Sequence, residues 1–179
     1  MRLSLKVALG GIFMALCCLC MAATTLFPVA SLALPAIAGV LLGLLGLLTE
    51  KKWAALCYAG VALLSFALSS DHTAVVCFVA LLGYYPLLKG VIERLRRPVT
   101  EWILKMLLFN VAVGAGIGLT VLVFGPGLLT AEYSGFGKTG LLVFYLFCNL
   151  IFAVYDLALT RLFGFFINVL IPKYLHKLR

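Results

Sequence analysis

Residues 82–110 read LGYYPLLKGVIERLRRPVTEWILKMLLFN. An apolar run ends in the basic turn Glu93-Arg94-Leu95-Arg96-Arg97-Pro98, and a second apolar run begins at once. Short, strongly basic connections resist translocation, so such a turn stays on the cytoplasmic side of a membrane and the two runs cross it. Pro98 suits the first turn of the second helix, where its missing N–H costs nothing.

Extending the same reading outward predicts an all-α, polytopic membrane protein with six transmembrane helices near residues 7–27, 31–48, 53–70, 73–92, 99–124 and 140–160. One side of this pattern holds Arg2, Lys6, Lys51, Lys52, Lys89, Arg94, Arg96, Arg97, Lys105, Lys173, Lys177 and Arg179, and the other side holds Lys138. Both termini are therefore expected in the cytoplasm of a bacterial cell, in a multi-pass protein of the inner membrane. The net charge of +8 is mainly a record of this topology. It also suits anionic lipid, and it calls for no nucleic acid.

Composition excludes a second, aqueous domain. With 65% hydrophobic and 11% charged residues, the chain cannot cover a soluble globule, so residues 1–179 form one integral membrane domain. From Gly140 to Ile171 the chain stays apolar for about 32 residues, roughly 48 Å of helix, half as long again as the slab is thick. Residues 161–175 are expected either to extend that helix or, as favoured here, to break after Arg161 and lie along the interface. The six cysteines sit in apolar runs and read as small packing residues.

Polar residues inside the apolar runs are the candidates for function, because each is costly in hydrocarbon. Tyr145, Asn149, Asp156 and Thr160 form a stripe on the last span, and Asn110 sits at mid-depth on the fifth. Tyr85, Lys89 and Glu93 share a face of the fourth, with Gly83 and Pro86 expected to kink it. Lys89, Glu93, Lys105, Asp156 and Arg161 form a candidate ionic cluster, with Asp156 as partner of Lys89 or Lys105. Asp71, His72, Glu132, Tyr133, Lys138 and Tyr145 on the outer side, with Asn149 and Asn110 at mid-depth, are candidate contacts for a small molecule.

Catalysis finds no support. Gly137-Lys138-Thr139 resembles the end of a phosphate loop, but Glu132 stands where that loop needs glycine. His72 and His176 fall on opposite sides, so no metal cluster is expected, nor any cofactor.

The opening RLSLKVALGGIFMALCCLCMAA and the run quoted above resemble the S component, the substrate-binding membrane subunit, of energy-coupling factor transporters, and S-component-like proteins of Gram-positive bacteria. That family docks its first helix on a transmembrane coupling subunit through a small-xxx-small motif. Here Gly11, Ala15 and Ala22 stand at those positions, with Gly11 in place of the usual alanine. The resemblance implies uptake of a vitamin-like molecule, driven by partner ATPases, without chemistry on the substrate. The rival expectation is a non-transporting accessory or assembly protein that holds anionic lipid or a protein partner on its basic cytoplasmic face.

Overall fold

The computed structural model describes residues 3–93, 97–125, 127 and 138–170, and the chain falls into two units, Met1–Glu132 and Tyr133–Arg179. Among the described residues there is no strand. Water is absent from the bilayer core, so each backbone N–H and C=O must be satisfied within its own helix.

The first unit contains α1 (Leu3–Ala23), a 3₁₀ turn (Pro28–Ala30), α2 (Ala33–Leu48), α3 (Lys51–Leu68), α4 (His72–Cys77), a π turn (Phe78–Leu82), α5 (Tyr85–Ile92) and α6 (Pro98–Phe124). The second contains α7 (Lys138–Phe165) and a π turn (Phe166–Leu170). Five helical segments are long and apolar enough to cross a membrane: Leu3–Ala23, Lys51–Leu68, His72–Ile92, Pro98–Val123 and Leu142–Asn168. The remaining expected span, α2, has 16 residues, about 24 Å of helix, and is short for a full crossing by itself.

Contacts at the helix ends order the first unit. The start of α1 lies at the α2–α3 turn, where Lys6 pairs with Glu50 and Trp53 Nε1 donates to the Lys6 carbonyl at 3.1 Å. Beyond the end of α1, Thr24 and Thr25 meet Ser69 and Ser70 of the α3–α4 turn. Hence α1 and α3 run one way and α2 the other, and α4–α5 returns beside them to bring Glu93 to the Lys51 end. The core lies where α1, α2, α3 and α4 meet, with Cys17, Met21, Leu42, Leu45, Val61 and Phe78 all buried. Outward faces are apolar as well: Leu63 is 76% and Leu122 85% exposed, which in water would invite association and in lipid is simply solvation.

The fourth span is interrupted at the residues expected to bend it. Gly83 N–H donates to the Phe78 carbonyl at 2.8 Å, an i to i+5 bond, and the chain turns at Gly83-Tyr84 before α5, where Pro86 occupies the first turn. Tyr58 Oη donates to the Val79 carbonyl at 2.8 Å, supporting the altered ladder from α3. On the other side α2 crosses backbone to backbone: a Cβ added at Gly39 would stand 1.9 Å from the Leu82 oxygen. Only glycine fits there.

The break expected after Arg161 is absent. The α-helix passes Arg161 and Gly164 and shifts to π bonding only at Phe166. A continuous ladder satisfies the backbone in apolar surroundings, and one glycine gives too little reason to abandon it. Residues 171–175 of the proposed interfacial segment lie outside the described residues.

Candidate functional site at the two ends of the first unit

At the basic end, the sequence supplies lysines and the fold supplies the carboxylates they meet. Lys89 and Glu93 are one turn apart on α5, and Lys89 Nζ reaches Glu93 Oε1 at 2.8 Å. Lys105, two turns into α6, reaches the same oxygen at 3.0 Å. Lys89 and Lys105 are buried and Glu93 is half-buried. Gly90 lets a third lysine approach α5, since a Cβ there would stand 3.3 Å from Lys51 Nζ. Burial pushes the Glu93 carboxyl up, but hydrogen bonds and charge from Lys89 and Lys105 outweigh it, and the net displacement is downward. Glu50, fully exposed, is also held below the ordinary carboxylate value, chiefly by its hydrogen bond from Lys6.

Glu93 Oε1 is thus shared by Lys89 and Lys105, reached from two helices. Asp156, expected as a partner of Lys89 or Lys105, is on α7 in the second unit together with Arg161.

The opposite end is built from hydroxyls. Thr24 Oγ1 donates to the Met21 carbonyl at 2.7 Å and lies 2.8 Å from Ser69 Oγ. Ser69 Oγ accepts the Asp71 N–H at 3.1 Å, and Thr25 Oγ1 accepts the Ser70 N–H at 3.1 Å. Asp71 caps α4, its Oδ1 accepting the Ala74 N–H at 3.0 Å. Its other oxygen, Oδ2, is buried with no hydrogen-bond partner. Thr24 and Ser69 are themselves buried.

The predicted small-molecule contacts are therefore divided. Asp71 and the exposed His72 stand at the hydroxyl end. Asn110 lines a shallow groove on α6 with Trp102, Ile103, Met106 and Leu107, and its Nδ2 donates to the Met106 carbonyl at 2.8 Å. Asn149 donates to the Tyr145 carbonyl at 3.0 Å within α7. Thr120 and Thr160 make the same four-residue return to their own helices. This is how a polar side chain is accommodated on an apolar helix without leaving it. Glu132 and Tyr133 lie outside the described residues, and of Lys138 only the backbone is described.

Thr24, Thr25, Ser69 and Ser70 were missed as site residues. The available signal was position: each pair directly follows an apolar run that ends on the same side as Asp71.

On α1, Gly10, Cys17 and Met21 are buried, whereas Gly11 and Ala15 are exposed and Ala22 is half-buried. Gly10 abuts Trp53 and Cys57, while a Cβ at Gly11 would meet nothing within 4 Å. The expected docking residues therefore largely avoid the face that packs within the unit.

No family model, no curated protein and no solved structure matches this chain.

Proposed function

We propose that this chain is a substrate-binding membrane subunit for uptake of a small vitamin-like molecule. In this reading it crosses a bacterial cell membrane six times with both termini in the cytoplasm. It works with a transmembrane coupling subunit and partner ATPases, as S components do. No bond of the substrate is made or broken; the hydroxyl end, with Asp71 and His72, receives the ligand from outside.

The observation that carries the proposal is the open face of α1. Had Gly11 and Ala15 served packing within the unit, they would abut a neighbouring helix as Gly10 does; instead they are exposed. In lipid, small residues on an open face let another helix approach closely, and close packing drives association there. The antiparallel order of the first unit supports the crossing pattern, with α2 and the preceding 3₁₀ turn covering one passage. A non-transporting accessory role is the rival, favoured by the concentration of Lys51, Lys89 and Lys105 near α5.

Two measurements test the proposal. A vitamin panel screened by thermal shift should contain one ligand that stabilises the purified protein, by about 2.7 kcal/mol at a hundred times its dissociation constant. Gly11→Leu with Ala15→Leu should abolish recovery of a coupling subunit while leaving the melting temperature near wild type, because both sites are open. A protein that no vitamin shifts and that recovers no coupling subunit would sink this reading. Loss of lipid or partner binding on neutralising Arg94, Arg96 and Arg97 would favour the rival.

A further inference from the structure

The Asp71 carboxylate poses a hydrogen-bond problem that the two buried hydroxyls beside it do not solve. A hydroxyl has one proton to donate. The Thr24 proton goes to the Met21 carbonyl, so in the contact between Thr24 and Ser69 the donor must be Ser69. The Ser69 proton is thereby committed to Thr24, while Ser69 Oγ accepts from the Asp71 backbone. Both buried hydroxyls of this end have spent their protons. Asp71 Oδ1 is occupied by the Ala74 N–H, and Oδ2 is buried with nothing to accept from.

Charge sharpens the problem. Glu50 and Glu93 both meet lysines. Among the described residues of the first unit, the Lys and Arg residues are Lys6, Lys51, Lys52, Lys89, Arg97 and Lys105. All belong to helix starts or ends at the basic end, or to α6 within reach of Glu93, a full helix length from Asp71. A buried carboxylate oxygen with no donor, and with no Lys or Arg near it among the described residues of its unit, is a strongly unfavourable arrangement. The chain tolerates it where something from outside completes it.

We propose that Asp71 Oδ2 is the anchor of a site for a singly charged cationic group, either the ammonium of a small primary amine or an alkali cation. A single carboxylate suits a single positive charge; a divalent ion calls for more carboxylates, and no group of three His, Cys, Asp or Glu that could hold a metal ion occurs among the described residues. The capping bond to Ala74 fixes the carboxylate through Oδ1, so Oδ2 is held in place before the cation arrives. The amine arm deepens the proposed substrate site and rests on that reading. The alkali-cation arm stands without it.

The test uses the full-length protein in nanodiscs. Melting temperature is followed against NaCl, KCl and methylammonium chloride, each balanced with choline chloride to constant ionic strength, since choline has no N–H to donate. Wild type should show a saturable rise with at least one of the three. Asp71→Asn, which keeps an acceptor for the α4 cap but removes the charge, should fold and lose that rise. A response to methylammonium alone assigns the site to a ligand amine, and a response to Na⁺ or K⁺ alone assigns it to the inorganic ion. Should Asp71→Asn not fold, competition between methylammonium and radioactive Na⁺ in equilibrium dialysis of wild type gives the same answer. A wild type indifferent to all three, or a rise that Asp71→Asn retains, overturns the proposal and leaves water as the occupant of Oδ2. A vitamin panel without hits, beside an intact cation response, would remove the transport reading and leave this site standing.

Discussion

At the basic end of the first unit, one carboxylate receives two ammonium groups from different helices; at the hydroxyl end, one carboxylate receives a single backbone N–H and keeps a buried oxygen without a donor. The same type of group meets opposite charge in one place and not in the other. A carboxylate bonded from two helices fixes them, whereas one with a buried oxygen lacking a donor, on elements already fixed by hydroxyl bonds, leaves a position that a cation can complete. In the function proposed above, the basic end serves structure and orientation, and the hydroxyl end is the ligand side.

The comparison breaks most completely at the crossing between the ends. Gly39→Ala forces a Cβ into the Leu82 carbonyl, and overpacking of this severity should cost about 3 kcal/mol or more and loosen both ends together. Denaturant titration in micelles gives the loss, and hydrogen exchange should show it on both sides of the π turn. Loss confined to one end would mean that the crossing does not couple them.

Glu93→Gln should come next, at about 2 kcal/mol near neutral pH, because it weakens two charge-assisted bonds to buried lysines. Its pH dependence has a definite sign. The folded carboxyl sits below its ordinary value, so its stabilisation is present above that value and fades as pH falls through the lowered one. Wild type should therefore lose stability in acid more steeply than Glu93→Gln, and parallel curves would contradict the cluster.

Ser69→Ala removes the donor to Thr24 and the acceptor for the Asp71 N–H, for about 1 kcal/mol, with exchange increased at the α3–α4 turn and unchanged near Glu93. Glu50→Gln should be the mildest change. Its pair with Lys6 is exposed, so a difference from wild type should appear only at low ionic strength and vanish on adding salt.

How much of this was legible in the sequence varies with the range of the interaction. The pairing of Lys89 with Glu93 follows from four-residue spacing within one helix, and the bend after residue 82 from Gly83 and Pro86. The bond from Lys105 to Glu93 did not follow: their separation along the chain includes a turn, and only the packing of α6 on α5 brings them together. The interfacial break after Arg161 was expected from a change in composition, yet the helix continued because its hydrogen-bond ladder outweighs a shift in side-chain polarity. Asp71 was singled out by its charge. Its unsatisfied oxygen was beyond reach, because it depends on where the protons of Thr24 and Ser69 are spent.

The sequence by itself determined that the chain is helical and built for lipid, since uninterrupted apolar length and the placement of basic residues are local properties that no packing can undo. Only the tertiary structure decided that α2 touches the π turn at Gly39, that Glu93 is shared between α5 and α6, and that Gly11 and Ala15 are left uncovered. Those outcomes depend on which helix faces meet. In an apolar chain nearly every face is hydrophobic, so periodicity cannot choose among them; close backbone approach and the completion of polar bonds do.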